Sequence, residues 1–207
     1  PITRPAFTGY TPEQSELTTS SLTTDELELK ISNPIDSASQ CFIRDLFVFS
    51  CMTGISHADL KNLTWKNIIT EDDGCLWISM SRQKTSVPFN VKLLDIPVRI
   101  MEKYKGLAKD GHVFPVLGQS RINYVLKNIG KQCGITTPLT FHRARHCFAS
   151  QVCLSQGVPI ETVSRMLGHR DIQTTQRYAS VNNEKIGNDM KLLSQKLAGK
   201  FNYMESK

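Results

Sequence analysis

The 207-residue chain lacks any apolar run that approaches the roughly 20 residues of a membrane-spanning helix. Its six cysteines include no Cys-x-x-Cys pair and follow no secretory leader, which disfavours a disulfide framework or a zinc knuckle. No glycine-rich phosphate loop of the P-loop type is present either. These absences predict a soluble protein with reduced thiols, no metal site and no bound cofactor.

What the chain does contain is a globular composition with a basic surplus. Hydrophobic residues make up 40% and charged residues 21% of the chain, so neither disorder nor a coiled coil describes the whole. Lysine and arginine outnumber aspartate and glutamate by 25 to 19, which gives a formal net charge of +6. This excess suits a polyanionic partner. Since the chain begins with Pro1 instead of Met, we expect a fragment that lacks a preceding domain.

Hydrophobic periodicity predicts a mainly α fold. Residues 1–22 have no periodicity and indicate an extended lead-in, and a capping box at Thr23 predicts a helix from Thr24 to about Ile31. A buried helix is expected over 36–52, followed by β-like runs at about 65–69, 75–80 and 87–93. Further helices are expected at about 97–105, 118–132, 140–156, 159–167, 171–179 and 183–198. The sum is an α-rich domain with one small antiparallel β-sheet inserted after the second major helix.

The most informative segment is Thr140-Phe141-His142-Arg143-Ala144-Arg145-His146. At about 100° per residue, a helix places His142 and Arg145 about 60° apart beside an apolar stripe. An imidazole and a guanidinium then project together, although spacing alone equally fits a solvated basic face. His142 and His146 also have the spacing of zinc ligands, but the Glu of a metalloprotease helix and a third ligand are lacking.

A second segment runs from Leu167-Gly168-His169 to Thr175-Gln176-Arg177-Tyr178. The glycine predicts the end of a helix, which places His169 at a helix junction. Tyr178 follows nine residues later, at the end of a polar turn. A lone tyrosine is usually half-buried packing and a lone histidine usually caps another group, but together with the first segment they indicate a common site.

In order along the chain, five such pieces resemble the catalytic domain of tyrosine recombinases, the phage and transposon integrase family. The first two pieces are the stretch from Thr53-Gly54 to Leu60 with Leu63-Thr64-Trp65, and Gln83-Lys84-Thr85. The other three are the His142–His146 segment, Leu167-Gly168-His169 and Thr175-Gln176-Arg177-Tyr178. The resemblance implies a catalytic domain over residues 23–180. Residues 1–22 would then be a linker and residues 181–207 a tail helix, with a DNA-binding domain expected ahead of the chain.

The resemblance also implies the catalytic residues, namely Lys84, His142, Arg145, His169 and Tyr178. An arginine suits the charge that develops on phosphate oxygens during in-line attack. A tyrosine hydroxyl ordinarily titrates at about pH 10, so cationic donors and an imidazole such as His142 would activate it. Lys84, on a β-turn, would protonate the leaving 5′ oxygen. DNA contacts are expected from Arg82, Arg143, Arg170 and Arg177.

One position departs from the family pattern. The family usually reads Thr-Gly-x-Arg, whereas this chain reads Thr53-Gly54-Ile55-Ser56 and so lacks the first phosphate-clamping arginine. Asp59 stands where a supporting acidic residue is common. The change resembles integrases of conjugative transposons from Bacteroides and relatives. Loss of one oxyanion donor costs about 10²- to 10³-fold in rate unless another cation replaces it.

Arg44 is the expected replacement. It lies 12 residues before Ser56 on the preceding helix and borders apolar positions, where a guanidinium is costly to bury without an anion. It is therefore predicted to reach the space that Ser56 leaves open. An ion pair from Arg44 to Asp45, Asp59 or another acid is the alternative.

The function that the resemblance implies is site-specific DNA recombination. One strand at a time would be cut and rejoined through a 3′-phosphotyrosyl intermediate, for integration or excision of a mobile element, without ATP or metal. Double-stranded DNA is the expected partner, with accessory DNA-bending proteins, in the bacterial cytoplasm at the nucleoid. Two alternatives stay open: a non-catalytic DNA-binding relative that lost activity with the missing arginine, and a type IB topoisomerase.

The C-terminal tail adds an expectation about assembly. Ile186, Met190, Leu193 and Leu197 recur at helical spacing and have no obvious place in their own domain. We expect this stripe to dock on a neighbouring protomer, and the resemblance to tyrosine recombinases implies that this occurs within a DNA-bound tetramer. Packing against its own domain is the alternative.

Overall fold

The structure, a computed structural model, describes residues 37–115, 118–135, 138–179 and 183–198. The predicted linker at residues 1–22 and the predicted helix at about 24–31 lie outside the described residues. Within them the helices are α1 (Ala38–Thr53), α2 (His57–Lys61), α3 (Asp95–Lys103), α4 (Gln119–Gln132), α5 (Phe141–Cys147), α6 (Ile160–Met166), α7 (Gln173–Gln176) and α8 (Asn183–Leu197). The strands are β1 (Ile68–Thr70), β2 (Leu76–Ser81) and β3 (Pro88–Lys92).

Helix α1 forms the centre of the core. Its side chains are apolar on most sides, with Ile43, Phe47 and Phe49 essentially inaccessible to solvent, and a helix of that pattern must be covered all round. Helices α3, α4 and α5 pack against it. The helix ends at Gly54, whose φ of +69° is a left-handed conformation that glycine adopts without strain.

The strands form one antiparallel sheet in the order β1-β2-β3. Ile78, at the centre, pairs with Ile68 on one side and Val91 on the other, and it is fully buried. Two hydrogen bonds close the turn between β2 and β3. The Arg82 N–H donates to the Val87 carbonyl, and the Ser86 N–H donates to the Arg82 carbonyl. The predicted fold class, mainly α with a small antiparallel sheet, is confirmed.

Two predicted helices differ in the structure. The helix expected over 140–156 is α5 followed by a π-helical stretch, Phe148–Cys153, and a 3₁₀ turn, Leu154–Gln156. Apolar spacing does not distinguish these windings, because each stretch is only about one turn long. The helix expected over 171–179 is only α7, since a polar segment with one buried residue has little to stabilise more turns. None of the helices described above combines the length and the hydropathy that a membrane span requires.

Gly54 lies where three helical segments meet. A Cβ there would lie 2.8 Å from Cδ2 of Leu167 and closer still to the Phe148 ring. Close approach of α1 to the segments after α5 and α6 therefore requires glycine at this position.

We predict that Gly54→Ala lowers the free energy of unfolding by about 2–5 kcal/mol, because left-handed strain adds to overpacking. The matched control is Gly106→Ala, which has a φ of +82° but nothing within 4 Å of a new Cβ. It should cost only about 1–2 kcal/mol of strain. Denaturant unfolding measures both, and equal losses would contradict the packing argument.

Candidate active site

The most buried cation of the site is Arg145, on α5. Its Nη1 donates to the Gly54 carbonyl at 2.7 Å, and its Nη2 donates to the Leu167 carbonyl. These carbonyls cap the ends of α1 and α6, where helix carbonyls lack partners within the helix and carry partial negative charge. Arg145 is 5% exposed, and its position is fixed from both sides.

A second guanidinium lies beside the first. Arg82 directly follows β2, and its Nη1 donates to the same Leu167 carbonyl at 3.4 Å. The Arg82 side chain is 13% exposed and forms an ion pair with Asp59, with 3.3 Å between Nε and Oδ2. It packs against Gly168, where a Cβ would lie 2.6 Å from Cγ of Arg82. Both arginines are thus held on one carbonyl.

The negative charge that balances this pair comes from Asp59, which is 1% exposed. Besides Arg82, its carboxylate accepts the Gln83 backbone N–H at 2.7 Å and the Ser56 hydroxyl at 2.5 Å. The Ser56 side chain also caps α2 by accepting the Asp59 N–H. The serine that replaces the family arginine therefore helps to hold Asp59, which in turn holds Arg82.

Two guanidiniums next to one buried carboxylate leave a surplus of positive charge. Burial, and then the charge of Arg82, lower the pKa of Arg145 to about 10, while Tyr178 and Asp59 act in the opposite direction. Arg145 therefore remains protonated at neutral pH. Uncompensated buried charge is costly, so an arrangement of this kind is suited to an anion.

Lys84 lies on the β2–β3 turn and its side chain is exposed. Neighbours on both sides attach the turn to the site. On one side, the Asn62 side-chain amide donates a hydrogen bond to the Gln83 side chain. The Gln83 backbone N–H bonds to Asp59, as described above. On the far side Arg170 donates to the Thr85 carbonyl at 3.3 Å.

Tyr178 is half-buried and contacts two imidazoles. The His146 ring lies edge-on, with 4.3 Å between ring centroids, and the His169 ring is stacked at 6.1 Å. Nδ1 of His169 is hydrogen-bonded to the Thr175 hydroxyl at 2.8 Å. Burial, followed by the charges of Arg145 and Arg82, lowers the pKa of His169 to about 4, so its ring is neutral at physiological pH.

His142 is exposed on α5, and its ring lies 6.0 Å from that of His146. The pair has the spacing that suggested zinc. Among the residues that the structure describes, no group of three or more His, Cys, Asp or Glu side chains could hold a metal ion.

The structure thus brings Arg145, His169 and Tyr178 together, with Lys84 on an attached turn. Of the predicted DNA-binding arginines, Arg82 lies inside this cluster. The others are next to its residues along the chain: they are Arg143 on α5, Arg170 directly after His169 and Arg177 directly before Tyr178.

Arg44 is not where the sequence analysis expected it. Its guanidinium pairs with Asp45 at 3.0 Å, the alternative that had been left open. Asp45 also accepts hydrogen bonds from Lys103 at 2.6 Å and Tyr104 at 2.7 Å. Burial alone would raise the pKa of Asp45, but these bonds and Arg44 lower it. The prediction that Arg44 fills the space near Ser56 is corrected: Asp45, one residue away, supplies the anion that a partly buried Arg needs.

Sequence reasoning assigned Arg82 to DNA and missed its place beside Arg145. A signal existed in the period-two pattern of β2, because Ile78, Met80 and Arg82 share the face that packs on the core. The contact of His146 with Tyr178 was also missed, as was the fully buried Thr175 beneath His169. These contacts join segments far apart in the chain, which spacing along one helix cannot show.

A model of the phage integrase family matches residues 20–185 of this chain. Among curated proteins, the chain is similar to the tyrosine recombinases XerC of Staphylococcus haemolyticus and Staphylococcus aureus. Each is 26% identical over 153 residues, which cover 70% of this chain and 51% of the relative. The chain thus spans about half the length of these curated relatives.

Solved structures share the fold. The XerA recombinase has a TM-score of 0.65 at 23% identity, covering 84% of this chain and 64% of that one. The XerH recombinase, bound to its palindromic difH substrate after cleavage, has a TM-score of 0.67 at 19% identity, covering 84% and 52%. A lambda integrase dimer bound to a core site has a TM-score of 0.60 at 20% identity, covering 91% and 63%. Since the family model covers well over half of its length, the chain belongs to the phage integrase family.

Proposed function

We propose that the chain carries the catalytic domain of a site-specific DNA recombinase, over residues 23–180, with residues 181–207 as its tail. It would break and rejoin DNA strands during integration or excision of a mobile element. The observation that supports this most strongly is the convergence of one tyrosine, a neutral imidazole and two mostly buried guanidiniums. A phosphodiester supplies the anion that such a cluster lacks.

Arg145 and Arg82 act together as the phosphate clamp. Both are planar, permanently charged donors, which suit the two non-bridging oxygens of a phosphodiester under in-line attack. Arg82 substitutes for the family arginine whose position Ser56 occupies, because the guanidiniums of Arg82 and Arg145 donate to the same Leu167 carbonyl. Asp59 keeps it there through the ion pair described above.

Tyr178 is the nucleophile. Its hydroxyl oxygen bonds to phosphorus while the bond from phosphorus to the 5′ oxygen breaks, which leaves a 3′-phosphotyrosyl link. The phenolic proton passes to His142, and Lys84 gives a proton to the leaving 5′ oxygen. In rejoining, a 5′ hydroxyl attacks the same phosphorus and the tyrosine leaves. The bond energy is conserved, so neither ATP nor a metal takes part.

The DNA partner is bound by the basic rim of the site, formed by Arg143, Arg170 and Arg177. Phosphate contacts of this kind give affinity without reading sequence. We place the protein in the bacterial cytoplasm at the nucleoid, where its DNA is, with accessory DNA-bending proteins.

Assembly into a tetramer would use the tail. On α8 the residues that form the apolar stripe are all exposed, by 38–57%: Ile186, Met190, Leu193 and Leu197. Among the residues that the structure describes, nothing covers this stripe, which favours docking on a neighbouring protomer over packing in cis.

The non-catalytic alternative rested on loss of the first arginine. Since Arg82 stands beside Arg145, that premise no longer favours it. A type IB topoisomerase would use the same chemistry, but the family model that matches is that of phage integrases.

The nucleophile is tested directly with a suicide substrate that carries a nick near the cut site. Tyr178→Phe should abolish the covalent adduct while leaving DNA affinity nearly intact, because one oxygen and no positive charge is removed. Tyr124→Phe, at a tyrosine that is 68% exposed, is the matched control and should react normally. Mass spectrometry of the trapped peptide locates the adduct, and a position other than Tyr178 would overturn the assignment.

The clamp predicts unequal effects for two arginines. Arg82→Ala should slow adduct formation by about 10²- to 10³-fold. Arg82→Lys should slow it by less, because lysine retains the positive charge but not the bidentate geometry of the guanidinium. Arg44→Ala, which breaks an ion pair away from the cluster, should stay within about threefold of wild type. Circular dichroism confirms folding. A larger loss from Arg44→Ala than from Arg82→Ala would reverse the assignment.

The general acid is tested through its leaving group. Lys84→Ala should slow cleavage of the ordinary phosphodiester far more than cleavage of a substrate with a 5′-bridging sulfur, because a thiolate departs without a proton. Lys66→Ala is the control for loss of an exposed lysine and should affect both substrates alike. The same loss on both substrates for Lys84→Ala would show that another group donates the proton.

A further inference from the structure

His146 has no role in the clamp or in the proton transfers described above, yet its ring contacts the nucleophile. It directly follows Arg145 on α5. Its ring and that of Tyr178 are nearly perpendicular, at 87°, with 4.3 Å between centroids. This is the edge-to-face geometry that aromatic rings favour, and such pairs contribute beyond the area that they bury.

The segment that carries Tyr178 has few other anchors. Helix α7 is a single turn, and Thr175 is the one buried residue in 171–179. The Tyr178 N–H bonds to the Thr175 carbonyl at 2.9 Å, which fixes the backbone but not the ring. The direction of the Tyr178 side chain therefore depends on its hydrogen bond with the Arg145 guanidinium and on the rings that touch it, His146 and, more distantly, His169.

The His146 ring is suited to packing more than to proton transfer. Its Nδ1 is buried and has no hydrogen-bond partner among the described residues. Burial, and then the charges of His142 and Arg143, lower the pKa of His146 below its ordinary value. A neutral ring beside Arg145 adds no further positive charge to a cluster that already has a surplus.

We propose that His146 is a positioning residue, whose ring holds the Tyr178 side chain in line with the phosphate that Arg145 and Arg82 bind. This role rests on the proposed function, in which Tyr178 is the nucleophile. It differs from the roles of His142 and Lys84, because it needs an aromatic ring at this position and no titrating nitrogen. Misplacement of a reacting atom by about 1 Å can cost about 10²-fold in rate, so such a contact matters.

The test compares His146→Ala with His146→Phe on the nicked substrate at saturating concentration. The alanine variant should form the Tyr178 adduct about 10- to 100-fold more slowly, and the phenylalanine variant should stay within about threefold of wild type. DNA affinity should be unchanged in both. His112→Ala, which removes another half-buried histidine, is the matched control and should react normally.

Two further measurements separate positioning from a merely structural effect. On the 5′-sulfur substrate His146→Ala should lose the same factor as on the ordinary one, because a better leaving group does not restore a misaimed nucleophile. With fluorotyrosine incorporated, the ¹⁹F resonance of Tyr178, assigned through Tyr178→Phe, should move in His146→Ala towards that of an exposed tyrosine. In His146→Phe it should stay away from that position, since a ring remains beside it.

Three outcomes would overturn the proposal. They are a normal adduct rate in His146→Ala, an equally slow rate in well-folded His146→Phe, and a Tyr178 resonance that His146→Ala does not move. Failure of the proposed function is distinguishable, because wild-type protein itself would then form no adduct at Tyr178.

Discussion

Two guanidiniums share the Leu167 carbonyl, and the rest of the site is arranged around keeping them there. Like charges this close repel, and burial strengthens the repulsion. Three features oppose it: the carboxylate of Asp59, the helix-end carbonyls of Gly54 and Leu167, and the left-handed glycines that let side chains approach. A bound phosphate would complete the neutralisation. The free protein thus holds positive charge in advance, and so no reorganisation is needed when substrate charge develops.

The fold supplies this constraint from distant parts of the chain. Helix α1 ends at Gly54, α6 ends beside Leu167, and α5 lies across both with Arg145. The small sheet then adds Arg82 and the Lys84 turn from the side, through Asp59 on α2. The small inserted sheet therefore positions two cationic side chains, Arg82 and Lys84, beside a site that the helices form.

Much of this could be predicted from sequence. Periodicity located α1, the three strands and most later helices, and ordered motifs identified Arg145, His169 and Tyr178 as neighbours. Local spacing failed where contacts are long-range. Arg44 borders apolar positions on α1 and looked available, but adjacent Asp45 pairs with it. Arg82 was predicted to contact DNA. The period-two pattern of β2 indicates which face it shares, but the Leu167 carbonyl that this face meets comes from a distant segment of the folded chain.

The central claim is that Arg82, with Arg145, neutralises the charge of the scissile phosphate. The most direct measurement uses a substrate with a methylphosphonate at the cut site, in which an uncharged methyl group replaces one charged oxygen. If the claim is right, Arg82→Ala is strongly impaired on the ordinary phosphodiester but cleaves the neutral substrate at nearly the wild-type rate. Equal impairment of Arg82→Ala on both substrates would contradict it.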